Sequence, residues 1–152
     1  MTTYRIVPPL FTAATLASLK PEFLFVKEYA DLLREHLKEG KGLLISGPPG
    51  TGKSWAMAAL TMKYAKRASR AGSAHFETVP ELLEKYRPLS PVQPRDDYRD
   101  QPWSVTYETV PWLVLNDMGK EYRGGKLHEQ HVAKIGRLIR LRAEHRRVTH
   151  IT

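Results

Sequence analysis

The sequence predicts an α/β protein built on a parallel sheet. Short apolar runs, "GLLIS", "AHFET", "WLVLN" and "VTHIT", alternate with stretches of helical periodicity, which is the pattern of strand–helix–strand units. A glycine-rich octet, "GPPGTGKS" at 47–54, stands between the first run and a helical stretch. The third run delivers Asn116 and Asp117 to its carboxyl end, where open parallel sheets bind their ligands.

Taken in order, residues 1–20 read as an irregular lead-in. Pro21 opens a helical pattern, with Val26, Tyr29, Leu33 and Leu37 at spacings of three and four and Gly40 past the end as a stop. "GLLIS", residues 42–46, is a short apolar run bounded by glycines and suits a buried parallel strand. A long helix is expected from about Lys53 to Arg70, closed by Gly72. "AHFET" reads as the second strand, and Thr78 with Glu81 forms a capping box ahead of "LLEKYR". Between Arg87 and Tyr107, Pro88, Pro91, Pro94 and Pro102 make a long loop of the functional or disordered kind. "WLVLN" is the third strand. Val132, Ile135 and Ile139 mark one face of a helix running to about His145, and "VTHIT" begins a fourth strand.

The 152 residues amount to one domain, with 41% hydrophobic and 26% charged residues, a globular composition. No apolar run approaches the roughly 20 residues of a membrane span, and the N-terminus lacks the pattern of a secretory signal. The absence of cysteine excludes disulfides and thiolate metal sites and fits a reducing interior, so a cytoplasmic location is expected. Lys and Arg number 24 against 16 acids, a net charge of +8, which favours a polyanionic partner such as nucleic acid. A solvated surface together with nucleotide-binding basic residues gives the same balance. Between Lys120 and Arg147 nine Lys or Arg face three Glu, a helix-borne strip able to track single-stranded DNA or simply to be solvated. Tyr98, Trp103 and Tyr107 can stack bases or pack locally. His128 and His131 share a helix face but lack a third ligand, so no zinc site is expected.

The octet carries the clearest chemistry. It fits Gly, four residues, Gly, Lys, then Ser or Thr, a match that arises by accident in roughly one such chain in several hundred. Gly47, Gly50 and Gly52 allow the backbone angles that turn successive N–H groups inward on phosphates. Pro48, Pro49 and Thr51 complete the loop, and the helix starting near Lys53 adds its positive end. Lys53 should reach the β and γ phosphates, Ser54 should offer its hydroxyl to Mg²⁺, and Trp55, next in the chain, is counted with the nucleotide-binding residues. These residues form the candidate ATP site.

Together these segments resemble the AAA+ ATPases, and within them the DnaC/IstB-like group of helicase loaders and transposition helper ATPases. The resemblance runs over most of the chain. "PPLFTAATLASL" is similar to that group's lead-in, "GKGLLISGPPGTGKSWAMAAL" to its Walker A strand, loop and helix, and "VPELLEKYR" to its next helix. "VPWLVLNDMGKEY" is similar to its Walker B segment, and the Gly119–Lys120–Glu121 tail is the more specific mark. The resemblance implies a three-layer P-loop NTPase fold with an AAA+ core, in which the fourth strand lies between the first and the third. It implies ATP and Mg²⁺ as cofactors, and ATP hydrolysis if the complete protein carries the downstream catalytic elements. It implies a replicative helicase or transposase as partner and a homo-oligomer, and the basic strip adds single-stranded DNA as an expected partner.

Three departures accompany it. The Pro-rich stretch is longer than in the group, Asn116 replaces the first Walker B acid, and the chain stops at Thr152, before the sensor and arginine-finger elements. Residues 21–152 are therefore expected to be the N-terminal part of a longer AAA+ domain. By resemblance, position 116 holds the Mg²⁺ hydration shell and Asp117 activates the attacking water. Asparagine keeps an acceptor oxygen but loses a charge worth on the order of a few kcal/mol of metal affinity. A register shifted by one residue would make Asp117 the metal partner and Glu121 the nearest base; the unshifted register keeps the Gly119–Lys120–Glu121 tail in place. Binding is expected to survive and hydrolysis to suffer. A nucleotide-binding adaptor or switch with little hydrolysis is the alternative. A P-loop kinase is disfavoured, because no arginine-rich lid stands between the two motifs.

Overall fold

Strands β1 (Ala74–Thr78), β2 (Trp112–Asn116) and β3 (Val148–Ile151) pair in parallel in that order, with β2 between its neighbours. The computed structural model describes residues 6–68, 73–86, 107–119 and 126–152. The Pro-rich stretch with Tyr98 and Trp103, the predicted stop at Gly72, Lys120 and Glu121 of the tail, and the His128 side chain lie outside the described residues.

The register explains the layering. Val114 pairs with Phe76 on one side and His150 on the other, and alternate residues of β2 serve opposite faces. Trp112 and Val114 enter a core with α1 (Leu24–Asp31) and α3 (Lys53–Ala68), through Val26, Ala56, Met57 and Leu60. Leu113 and Leu115 enter a second core with α4 (Val79–Lys85) and α5 (Lys126–Glu144), through Leu82, Ile135 and Leu138. All five residues of β2 are buried, as a central strand covered on both faces requires. The predicted α/β class with a parallel sheet and three layers is what the chain forms.

Segment 42–46 lies on the outer side of β3, so β3 sits between it and β2, the placement that the resemblance implied. It makes a single parallel bridge, Leu44 with Ile151, and not the full buried strand expected of "GLLIS". Ile45 N–H donates to Ile151 O and Ile151 N–H to Leu43 O, both at 2.9 Å. The Leu43 N–H turns instead to Nδ1 of His150 at 3.0 Å, which diverts the ladder, and Leu44 is 71% exposed. His150 is itself fully buried against Trp112 and Tyr29.

The first helical stretch divides at Leu32 into α1 and α2 (Leu33–Glu39). Val26, Tyr29 and Leu33 are buried as the spacing predicts. Gly40 ends α2 at φ +69°, and a Cβ there would come within 2.6 Å of the Arg146 backbone, so angle and space both demand glycine. The Thr78–Glu81 capping box forms, with both reciprocal bonds present.

On α5 the inner face differs from the one predicted. Ile135, Leu138 and Arg142 are buried and Ile139 is half-buried, whereas Val132 is 58% exposed. Arg142 leaves the basic strip altogether. Its guanidinium donates to the carbonyls of Tyr107, Val110 and Val148 and to the Thr149 hydroxyl. Lys134 and Arg147 also turn inward, to the Leu83 and Glu108 carbonyls, while Arg137 and Arg140 remain exposed. Tyr107, weighed as a base-stacking residue, is buried and packs edge-on to Tyr86 and His75.

Candidate nucleotide site

The loop at 47–52 joins segment 42–46 to the start of α3. Gly50 and Gly52 take φ of +78° and +101°, angles that a side chain would strain, although space is open around Gly50. Thr51 Oγ1 donates to Pro48 O at 3.0 Å and tightens the turn. The Ala56 N–H donates to Gly52 O at 2.9 Å, which closes the first turn of α3. The N–H groups of Lys53, Ser54 and Trp55 thus belong to a helix start, where backbone donors lack intrahelical acceptors and favour an anion. Lys53 Nζ donates to Gly47 O at 2.8 Å and Pro48 O at 2.7 Å, which holds the ammonium across the loop it would serve.

Beside the loop lies a cavity of about 240 Å³ lined by Ser18, Leu19, Lys20, Phe23, Gly52 and Trp55. Two of these, Gly52 and Trp55, belong to the predicted site; the other four come from the lead-in and first helical turn, to which the sequence assigns no function. The lead-in is ordered by a local device. The Thr15 side chain accepts the Ser18 N–H and the Ser18 hydroxyl accepts the Thr15 N–H, a capping box on a short 3-10 turn. Ser18 Oγ also accepts the Trp55 indole N–H at 3.0 Å, tying the turn to α3. Phe11 meets the Trp55 ring edge-on at 6.5 Å. The Thr-x-x-Ser spacing at 15–18, followed by Pro21, was the available signal for this structure.

Asn116 and Asp117 stand at the carboxyl end of β2, the same edge of the parallel sheet from which segment 42–46 runs into the loop. Asn116 is 3% exposed, and its Oδ1 accepts the Thr152 hydroxyl at 2.8 Å. The Asp117 N–H donates to Thr152 Oγ1 at 3.1 Å, and Asp117 takes a left-handed φ of +58°, which Asp tolerates better than most residues. The Met118 N–H donates to Thr152 O and the Thr152 N–H to Leu115 O. Thr152 was missed as a site residue, since nothing in "VTHIT" marks which polar group will meet the neighbouring strand.

The oxygens within this set that suit Mg²⁺ are the Ser54 hydroxyl, the Asp117 carboxylate and the Asn116 amide oxygen. The third already receives the Thr152 hydroxyl proton. Among the described residues no group of three or more His, Asp or Glu side chains gathers as a metal cluster. No helix among them is long and apolar enough to cross a membrane.

No protein-family model matches the chain. The crystal structure of DnaI aligns over 96% of this chain and 74% of its own, with a TM-score of 0.64 at 23% identity. The shared architecture is the P-loop NTPase fold. The proteasome-associated ATPase of Streptomyces coelicolor is 42% identical over 66 residues, and that of Salinispora tropica 44% identical over 66 residues. These matches cover 38% of this chain and span only 11% of the length of those ATPases.

Proposed function

We propose that this chain binds ATP and ADP through residues 47–54 and acts as an AAA+ helicase loader or transposition helper ATPase of the DnaC/IstB-like kind. The observation that carries the reading is the glycine-rich loop set against a helix start, with Lys53 held over it and Asp117 at the same sheet edge. In this reading the loop N–H groups and Lys53 hold the phosphates, while Trp55 and the lead-in cavity take the base. Asp117 accepts a proton from the attacking water. The fold likeness to DnaI, a DnaC-like helicase loader, and the similar Walker segments support a loader. The proposed partners are a replicative helicase or transposase, single-stranded DNA at the exposed Arg137 and Arg140, and further copies of the chain.

A second reading, an adaptor or switch that hydrolyses little, is favoured by one observation. Asn116 is neutral, and its oxygen is engaged by Thr152. Both readings need nucleotide to govern a protein contact. Size-exclusion chromatography of the chain with a hexameric replicative helicase, with and without ATP, tests the loader. Co-elution that requires ATP and disappears in Lys53→Ala is the expected result. Helicase that never co-elutes would remove the loader and leave the transposition branch or the switch.

A further inference from the structure

We infer that Thr152 positions Asn116 so that it no longer serves a metal ion, and that this site therefore binds nucleotide with little help from Mg²⁺. The inference rests on the nucleotide reading above and concerns the division of labour within that site.

The hydrogen bonds fix the amide's orientation. A threonine hydroxyl has one proton to give and two lone pairs. One lone pair of Thr152 Oγ1 receives the Asp117 N–H at 3.1 Å, and the proton goes to Asn116 Oδ1 at 2.8 Å. Were the amide reversed, its nitrogen would donate to Oγ1 and the hydroxyl proton would lose the acceptor it has in Asn116 Oδ1. With Oδ1 turned to Thr152, the group that Asn116 presents away from Thr152 is an NH₂. That group is a donor without an available lone pair, and it repels a cation as it attracts a phosphate or hydroxyl oxygen.

The missing charge acts in the same direction. A carboxylate at this strand end would repel the phosphates and would need a divalent ion between them. The neutral amide removes the share of both that a carboxylate at position 116 would add, and leaves Asp117 as the one acid of the pair. Phosphate charge is then balanced by Lys53 and the start of α3, neither of which needs a metal. Thr152 is a positioning residue here, acting through Asn116.

Calorimetric titration of the whole chain with ADP, in EDTA and in millimolar Mg²⁺, tests this. The wild-type affinities should agree within about threefold in the two conditions, because no charge at position 116 couples to the ion. Asn116→Asp should weaken metal-free binding and create a Mg²⁺ dependence of roughly tenfold or more. Thr152→Val, which frees the amide to turn its oxygen outward, should acquire a Mg²⁺ dependence, and Thr152→Ser, which keeps the hydroxyl, should behave as the wild type. If Thr152→Val does not fold, the wild type, Thr152→Ser and Asn116→Asp still decide. A wild type that binds ADP some tenfold more tightly with Mg²⁺, or a folded Thr152→Val with the wild-type ratio, overturns the inference alone. ADP that binds in neither condition overturns the nucleotide reading, and the inference with it.

Discussion

The Arg142 guanidinium donates to the main-chain carbonyl of Tyr107 at 2.6 Å from a fully buried position on α5. Burial, and Arg147 nearby, pull its pKa below the usual arginine range, yet among the described residues no carboxylate is one of the partners that hold it. Its charge is carried by three carbonyls and a hydroxyl, and it joins the Tyr107–Val110 turn to the Val148 end of β3. Arg142→Leu should destabilise the chain by about 3 kcal/mol or more, because the change strands several buried acceptors at once. Arg142→Lys should not restore the stability, since an ammonium lacks the fork that reaches acceptors on both sides. Urea unfolding monitored by circular dichroism measures both.

His150 makes stability depend on pH. Burial, reinforced by Arg142 and His36, pushes its pKa down to about 3. In the unfolded chain the imidazole titrates near its ordinary value of 6.5. Between those values the unfolded state binds more protons, so stability should fall as pH drops below about 6.5, by at most about 1.4 kcal/mol per pH unit from this group. Protonation would also cost the Leu43 N–H its acceptor and loosen the segment that leads into the glycine-rich loop. His75, whose pKa burial also lowers, adds in the same direction. His150→Gln should therefore flatten part, not all, of the slope of urea midpoint against pH between 6.5 and 5. An unchanged slope would mean that His150 is accessible to protons in the fold.

Trp55 ties the lead-in to the start of α3 and lines the cavity beside Gly52. Trp55→Ala should weaken nucleotide binding by roughly tenfold, the scale of one base stacked on an aromatic ring. The indole also bonds Ser18, so a thermal melt should accompany the titration; a folded variant with wild-type affinity would place the base elsewhere.

Much of this arrangement was legible in the sequence because the signals were local. The helix start at Lys53 that follows the glycine cluster, the Thr78–Glu81 box and the unbroken apolar "WLVLN" each require only neighbours in the chain, and each took the predicted form. What escaped depends on partners far away in sequence. Arg142 looks like any other base on a basic helix until Tyr107 and Val110 fold against it. His150 reads as a polar interruption of "VTHIT", yet it diverts the Leu43 N–H from the ladder and leaves Leu44 as a single bridge. Val132 has the right spacing for the inner face of α5, but the burial falls on Ile135, Leu138 and Arg142. Asn116 was legible as a departure; its bond to Thr152, 36 positions on, was not.

Single-stranded DNA binding, if it uses α5, must rely on the bases left exposed there. Arg137→Glu with Arg140→Glu should weaken binding and make its salt dependence shallower, by a logarithmic slope of roughly one for each phosphate no longer neutralised. Fluorescence anisotropy across a salt series reads both. No binding by the wild type at low salt with ATP present would make these arginines a solvated face and strengthen the switch reading.

Whether residues 47–54 hold nucleotide phosphates is decided by calorimetric titration of Lys53→Ala with ADP and ATP. Lys53 Nζ is placed on the Gly47 and Pro48 carbonyls at 2.8 and 2.7 Å, so its removal takes a positive charge from the loop and should leave the core intact. The wild type should bind clearly, and a variant that melts at the wild-type temperature should bind undetectably or roughly a hundredfold more weakly. A folded Lys53→Ala chain with unchanged affinity for both nucleotides would contradict the assignment of the phosphate loop.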